Sequence, residues 1–288
     1  MNYERFIQEI TACVKNQLSE TENLEQHQVL KNNGILFRGI SIRKNNAVIA
    51  PVIYLESFYE RYQAGEPMEQ LSQEILQSSE AIPFPVELDD RTLLEFEEMK
   101  DRIIYRLVNR EKNEQLLKEI PHLPMFDLAI IFYVAVRTEG MEDYAMLIRN
   151  SHMKLWKISI SHLYEIAREN TPRLYPYILR PLGDYLRFVD GCEQMDSPLW
   201  ILTNVTGVCG ASAILYPNMP KQIYDTIKRS YYLLPSSIHE FLVVPAEKGI
   251  CREYLKDMVH AVNEAEVAED EVLADSVYFF DGKNITKM

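Results

Sequence analysis

The chain has 288 residues, with 30 lysines and arginines against 43 aspartates and glutamates, for a formal net charge of −13. Its 47% hydrophobic and 25% charged content is that of a folded globular protein and excludes a mostly disordered chain. The charge excludes a basic nucleic-acid-binding surface as the default, because phosphate contacts need clustered lysine and arginine.

The N-terminal MNYERFIQEI has no uninterrupted apolar run of the signal-peptide kind. The longest apolar stretch, Leu128–Val136, has nine residues, where a bilayer span needs about 20. Cys13, Cys192, Cys209 and Cys251 are widely spaced with no CxxC pair, the usage of free thiols in a reducing compartment. The expected location is the cytoplasm, with no membrane contact.

In chain order, Tyr3, Phe6, Ile7, Ile10, Cys13 and Val14 recur at helical steps and predict a helix over 3–18. Val29–Leu30, the turn Lys31-Asn32-Asn33-Gly34 and a return strand from Ile35 to Ile42 predict a hairpin, since Asn-Gly supplies the positive φ that a tight turn needs. A second turn at Lys44–Asn46 and a strand from Val48 to Leu55 complete a three-stranded meander, with Pro51 marking an edge or bulge. Helices are predicted over 58–62 and 68–76; Pro83 and Pro85 then break the chain. Leu93, Phe96, Met99, Ile103 and Leu107 predict one helix over 91–109, and a shorter one follows over 111–120. Leu128–Val136 is β-rich and apolar on both faces, as in a central strand, with Tyr144–Ile148 a candidate partner. Ser159 or Ser161 caps a helix through Ala167, and Thr171-Pro172 starts another. Residues 188–198 are the best candidate for a linker or an exposed loop. Strands are expected over 199–202, 211–216, 231–234, 241–244 and 277–280, with helices from Pro220 and over 250–262. The class is therefore α+β, mostly antiparallel sheets with flanking helices, ending in a β-β-α-β-β-α-β region. The chain reads as one unit over 1–288, with sub-layers 1–187 (meander plus helices) and 199–288 (β-rich).

The sequence contains no GxG, Walker-type loop, HExxH, EF-hand loop or GxSxG. The densest polar cluster is Ser236-Ser237-Ile238-His239-Glu240 after Pro235. On a strand, Ser237 and His239 would share a face, about 6.5–7 Å apart at the backbone. A serine nucleophile needs a histidine base in reach and a group that orients it. The same residues are ordinary turn chemistry, with hydroxyls bonding nearby amides. Lys31, Asn32 and Asn33 offer a cation and amides to an anion, or form a hairpin turn. Asn170 is a polar contact for a ligand, or part of a junction capped by Thr171. His122 and Asp127 lack further ligands at metal spacing. Residues 87–101 carry seven acids against two bases and 264–275 six acids and no base, read as solvated faces or as surfaces for a basic partner.

Several phrases together resemble one family: Lys31–Gly34, Pro51–Leu55, Arg106–Asn109 with Asn113, Pro121–Leu123, Phe126–Ile130, Trp156, Asn170–Pro172, Leu202–Asn204, Gly210-Ala211, Pro235–Glu240 and Asp270–Leu273. This is the domain-of-unknown-function family numbered 5688, met in clostridial gut bacteria. The resemblance covers nearly the whole chain and implies a bacterial cytosolic protein. It supplies no activity, substrate or cofactor.

The leading expectation is a non-catalytic binding or interaction protein with a protein or small-molecule partner. No nucleic acid, cofactor, metal or catalytic residue is expected, and the oligomeric state is left open. The candidate binding residues are Lys31, Asn32, Asn33, Asn170, Ser236, Ser237, His239 and Glu240. The rival is a hydrolase or transferase built on Ser236–Glu240 with Asn170 or Asp127. The two readings separate on whether these residues line one pocket or are scattered and locally bonded.

Overall fold

The computed structural model describes residues 1–44, 50, 52–81, 95–136, 144–190, 198–235, 237–247 and 251–288. The turn at 45–46, Pro51, Pro83, Pro85, Cys192, most of the linker and Ser236 lie outside the described residues. The chain divides into two compact units, one within Met1–Lys31, Ile35–Glu95 and Val136–Asp143, the other within Asn32–Gly34, Phe96–Ala135 and Tyr144–Met288.

The first unit opens with α1 (Tyr3–Lys15), whose N-cap Asn2 accepts the Arg5 N–H through its side chain. The meander follows as β1 (Glu22–Leu30), β2 (Leu36–Lys44) and β3 (Ile53–Tyr54), paired antiparallel in that order. β1 begins earlier than its apolar end suggests. The mostly polar stretch Glu22–Gln28 continues the ladder opposite β2. α2 (Glu56–Gln63) and α3 (Met68–Ala81) complete the unit. Phe6, Ile10, Val14, Ile40, Leu55, Leu71 and Ile75 form its core.

The second unit holds two sheets. In the smaller, β6 (Leu128–Val136) is central, flanked by β4 (Ile103–Asn109) on one side and by β5 (His122–Met125) and β7 (Tyr144–Leu147) on the other. The larger has the order β13-β12-β10-β11-β9-β8, every pair antiparallel. These strands are β8 (Tyr177–Pro181), β9 (Trp200–Asn204), β10 (Tyr231–Leu234), β11 (Phe241–Pro245), β12 (Tyr278–Phe280) and β13 (Ile285–Lys287). The helices are α4 (Phe96–Met99), α5 (Glu114–Leu117), α6 (Asn150–Trp156), α7 (Ile160–Leu174), α8 (Leu182–Asp190), α9 (Met219–Ile227) and α10 (Arg252–Ala265). The fold is α+β with mostly antiparallel sheets. The larger sheet takes β8 from before residue 187 and the rest from after 199.

Four local expectations are corrected. The helix expected over 91–109 ends at Met99; after a 3-10 turn, Ile103–Asn109 is a strand, six of its seven residues buried. A strand covered on both faces shows no period of two, so its apolar residues imitated a helical stripe. The helix expected over 111–120 is the single turn α5. Thr171-Pro172 starts nothing: α7 runs from its Ser159 cap through Pro172 to Leu174. The strand expected over 211–216 is a 3-10 helix, Gly210–Leu215, in which Gly210–Ile214 are all buried. Small residues allow that tight coil to lie in the core.

Candidate functional site

Pro235 and Ser237–Glu240 lie between the paired strands β10 and β11, so the described part of the polar cluster is hairpin loop, the turn reading, and not strand. The Ser237 hydroxyl accepts the His239 N–H at 2.9 Å and donates to Glu240 Oε1 at 2.9 Å. This is a serine turn closed by a carboxylate. Ile238 is pinned on both sides: its N–H donates to the Glu271 carbonyl (2.8 Å) and its carbonyl accepts from the Ala211 N–H (3.2 Å).

The imidazole of His239 is held at both nitrogens. Nδ1 accepts the Cys209 N–H at 3.2 Å, which places the neutral ring's proton on Nε2. Nε2 lies 3.1 Å from Glu271 Oε1. The Cys209 backbone reaches this position in the left-handed region, at φ 51°. The next residue has to be glycine, because a Cβ on Gly210 would stand 2.6 Å from both the His239 carbonyl and the Asn204 nitrogen. Thr203 Oγ1 donates to the same His239 carbonyl at 2.8 Å. Burial pushes the Cys209 thiol up, with the nearby Arg106 guanidinium opposing.

Ser237, His239, Glu240, Glu266 and Glu271 line an open groove of about 500 Å³, with Val262 and Val267 beside them. Its chemistry is that of acceptors: three carboxylates and one imidazole already engaged. Ser237 and the imidazole share no hydrogen bond, and neither ring nitrogen is left to take a serine proton.

The remaining candidates lie elsewhere. Asn32 and Asn33 join a cluster in the second unit. Asn113 Nδ2 donates to Asn32 Oδ1 (2.8 Å), Asn33 Oδ1 (3.1 Å) and the Asn109 carbonyl (2.8 Å). Asn32 Nδ2 donates to the Asp270 carbonyl at 2.6 Å. Lys31 belongs to the first unit, where its Nζ sits 3.8 Å from the Tyr54 ring centroid. Asn170 is buried and donates to the carbonyls of Lys100 (2.7 Å) and Ile103 (3.1 Å). Thus Ser237, His239 and Glu240 come together, and Lys31, the Asn32–Asn33 pair and Asn170 occupy three other places.

Sequence reasoning missed Glu271, Glu266 and the Cys209 backbone. Glu271 sits in the acidic run 264–275, read as a solvated face or as a surface for a basic partner, and its partner His239 is far away in the chain. Gly210 after a buried-type cysteine was the one local signal of tight packing. Among the described residues, no group of three or more His, Cys, Asp or Glu side chains is placed to hold a metal ion. His122 Nδ1 contacts the Ile120 carbonyl, and Asp127 is bonded by Ser276, Tyr278 and Lys287. Among the described residues no helix is long and apolar enough to cross a membrane.

A family model described as "Family of unknown function (DUF5688)" matches residues 3–282. Neither the curated proteins nor the solved structures contain a match to the chain.

Proposed function

The chain belongs to family DUF5688, and we propose that it is a cytoplasmic binding protein without catalytic activity. In this reading the groove beside His239 takes a positively charged group of a protein or small-molecule partner, and nucleic acid is not a partner. The observation that carries it is the pairing of the reactive groups described in the loop: Ser237 with Glu240, and both imidazole nitrogens with Cys209 and Glu271. A nucleophile and base engaged in this way hold the loop in shape and are not poised for attack. The three groove carboxylates attract a cation at close range, and the net charge of −13 supports them at long range. The free thiols of Cys13, Cys209 and Cys251 support a reducing compartment.

The test is a calorimetric titration with a short peptide carrying one arginine and with its citrulline counterpart. The arginine peptide is expected to bind with a dissociation constant of about 1 mM or tighter, and Glu271→Gln to weaken it several-fold. A panel of ester, amide and phosphate-ester substrates should show no turnover that depends on Ser237. Turnover lost in a Ser237→Ala protein of unchanged melting temperature would overturn the proposal in favour of a hydrolase or transferase at this loop.

A further inference from the structure

Asn33–Gly34 is the chain's single Asn-Gly pair, and the groove makes no use of it. Such a pair carries its own chemistry. The Gly34 nitrogen attacks Cγ of Asn33; the new C–N bond closes a five-membered imide as the Cγ–Nδ2 bond breaks and ammonia leaves. Water then opens the imide at one carbonyl or the other, giving aspartate or isoaspartate. No electrons are exchanged, water is the only co-reactant, and glycine has no side chain to obstruct the attack.

The structure holds this pair still. Asn33 sits at φ 60°, ψ 22° and Gly34 at φ 75°, a left-handed pair that Asn and Gly adopt at least cost. The Asn33 side chain is fixed at both of its atoms. Nδ2 donates to the carbonyls of Glu269 (2.8 Å) and Val272 (2.7 Å), and Oδ1 accepts from Asn113 Nδ2 (3.1 Å). The Asn33 N–H donates to Asn113 Oδ1 at 3.0 Å. Swinging Cγ towards the Gly34 nitrogen would break all of these side-chain bonds at once.

We propose that Asn33 is a deamidation site latched by Asn113 and the carbonyls of Glu269 and Val272. While the tip is in its cluster the reaction is shut; it proceeds only from states in which the tip has left. The observed rate is then the intrinsic rate multiplied by the open fraction. The change runs one way. A carboxylate at position 33 has no proton to give the two carbonyls and adds charge beside the acidic run 264–275. Isoaspartate also lengthens the backbone within a turn that needs two left-handed residues.

The experiment incubates the full-length protein in mildly alkaline buffer and follows the peptide containing residue 33 by mass and retention time. Folded wild type should convert at least about tenfold more slowly than the urea-unfolded chain, by the same open-fraction argument. Asn113→Ala, if circular dichroism shows it folded, should lose most of that protection. If that variant does not fold, wild type in urea below its unfolding transition replaces it, and the rate should climb with urea. Isolated deamidated protein should exchange amide hydrogens faster over 109–113 and 268–273 than unmodified protein. Equal rates in folded and unfolded wild type, full protection in a folded Asn113→Ala protein, a rate indifferent to urea, or unchanged exchange after deamidation would each overturn the proposal.

Discussion

Asp127 shows how much chemistry one carboxylate can gather. It follows Phe126, a left-handed residue at φ 55°, in the turn between β5 and β6. Its oxygens accept the hydroxyls of Ser276 and Tyr278, both at 2.6 Å, and Lys287 Nζ stands 3.1 Å away. Burial pushes the Asp127 carboxyl up, but the bonds from Ser276, Tyr278 and Lys287 outweigh it and hold the acid below its usual range. Burial and that same carboxylate push the Tyr278 phenol far above its own. Since the folded carboxyl is the stronger acid, the unfolded chain takes up the proton first. The stabilisation is fully present above the ordinary aspartate value of about 3.9 and is lost as pH falls through the folded value. Asp127→Asn should therefore cost about 1–3 kcal/mol at neutral pH, in urea unfolding, with the gap to wild type closing in acid. Nothing local announces these partners, which lie 149 and 151 residues downstream for the two hydroxyls. From sequence, Asp127 could be weighed only against its neighbour His122 and as a distant partner of the Ser236–Glu240 cluster.

β4 is an outer strand of its sheet, and side chains close its open side. The Ile103 carbonyl accepts from Asn170 Nδ2 (3.1 Å), and the Tyr105 N–H donates to Thr171 Oγ1 (3.1 Å). The Leu107 N–H donates to Ser212 Oγ (3.0 Å), and the Asn109 carbonyl accepts from Asn113 Nδ2 (2.8 Å). Residues 103, 105, 107 and 109 alternate outward, as a ladder requires, so one backbone group of each, which a further strand would have paired, has a side-chain partner. Thr171 Oγ1 also donates to the Ala167 carbonyl at 2.6 Å, which fixes it on α7. Ser212→Ala should leave the buried Leu107 N–H unpaired and lower stability by about 1–3 kcal/mol, measured by urea unfolding. This accounts for the sequence errors around it. Asn170 and Thr171 looked like a junction or a contact because their partner strand was itself read as a helix. Residues 211–216 looked like a strand because Ala, Ile and Leu carry no sign of the 3-10 coil that delivers Ser212. The β1–β2 hairpin, with its Asn-Gly turn and ladder adjacent in the chain, was legible, whereas the short strands β5, β8 and β13 were not read as strands.

At the scale of the whole molecule, the excess of acids fixes the sign of the surface field. A net charge of −13 should leave no measurable affinity for random duplex DNA at about 150 mM salt, where screening is already strong. Micromolar binding with a steep salt slope in a fluorescence titration would contradict this. Composition and hairpin signals were enough to read the α+β class. The two compact units were not legible, because segments far apart in sequence, such as 32–34 and 96–135, belong to one of them. The closed side of β4 has a further consequence, for synthesis. β4 and β6 hold a long, largely apolar ladder, IIYRLVN against LAIIFYVAV. Of the side chains that cover its outer side, Asn113 precedes β6, but Asn170, Thr171 and Ser212 all follow it in the chain. A ribosome adds about 5–20 residues per second, so this ladder waits several seconds for the last of its cover. During that interval a nascent chain offers neighbours an uncovered, hydrophobic row of amides, the template from which cross-β assembly grows. Chains cut short between β6 and Asn170 lack the cover from Asn170, Thr171 and Ser212 and are expected to aggregate.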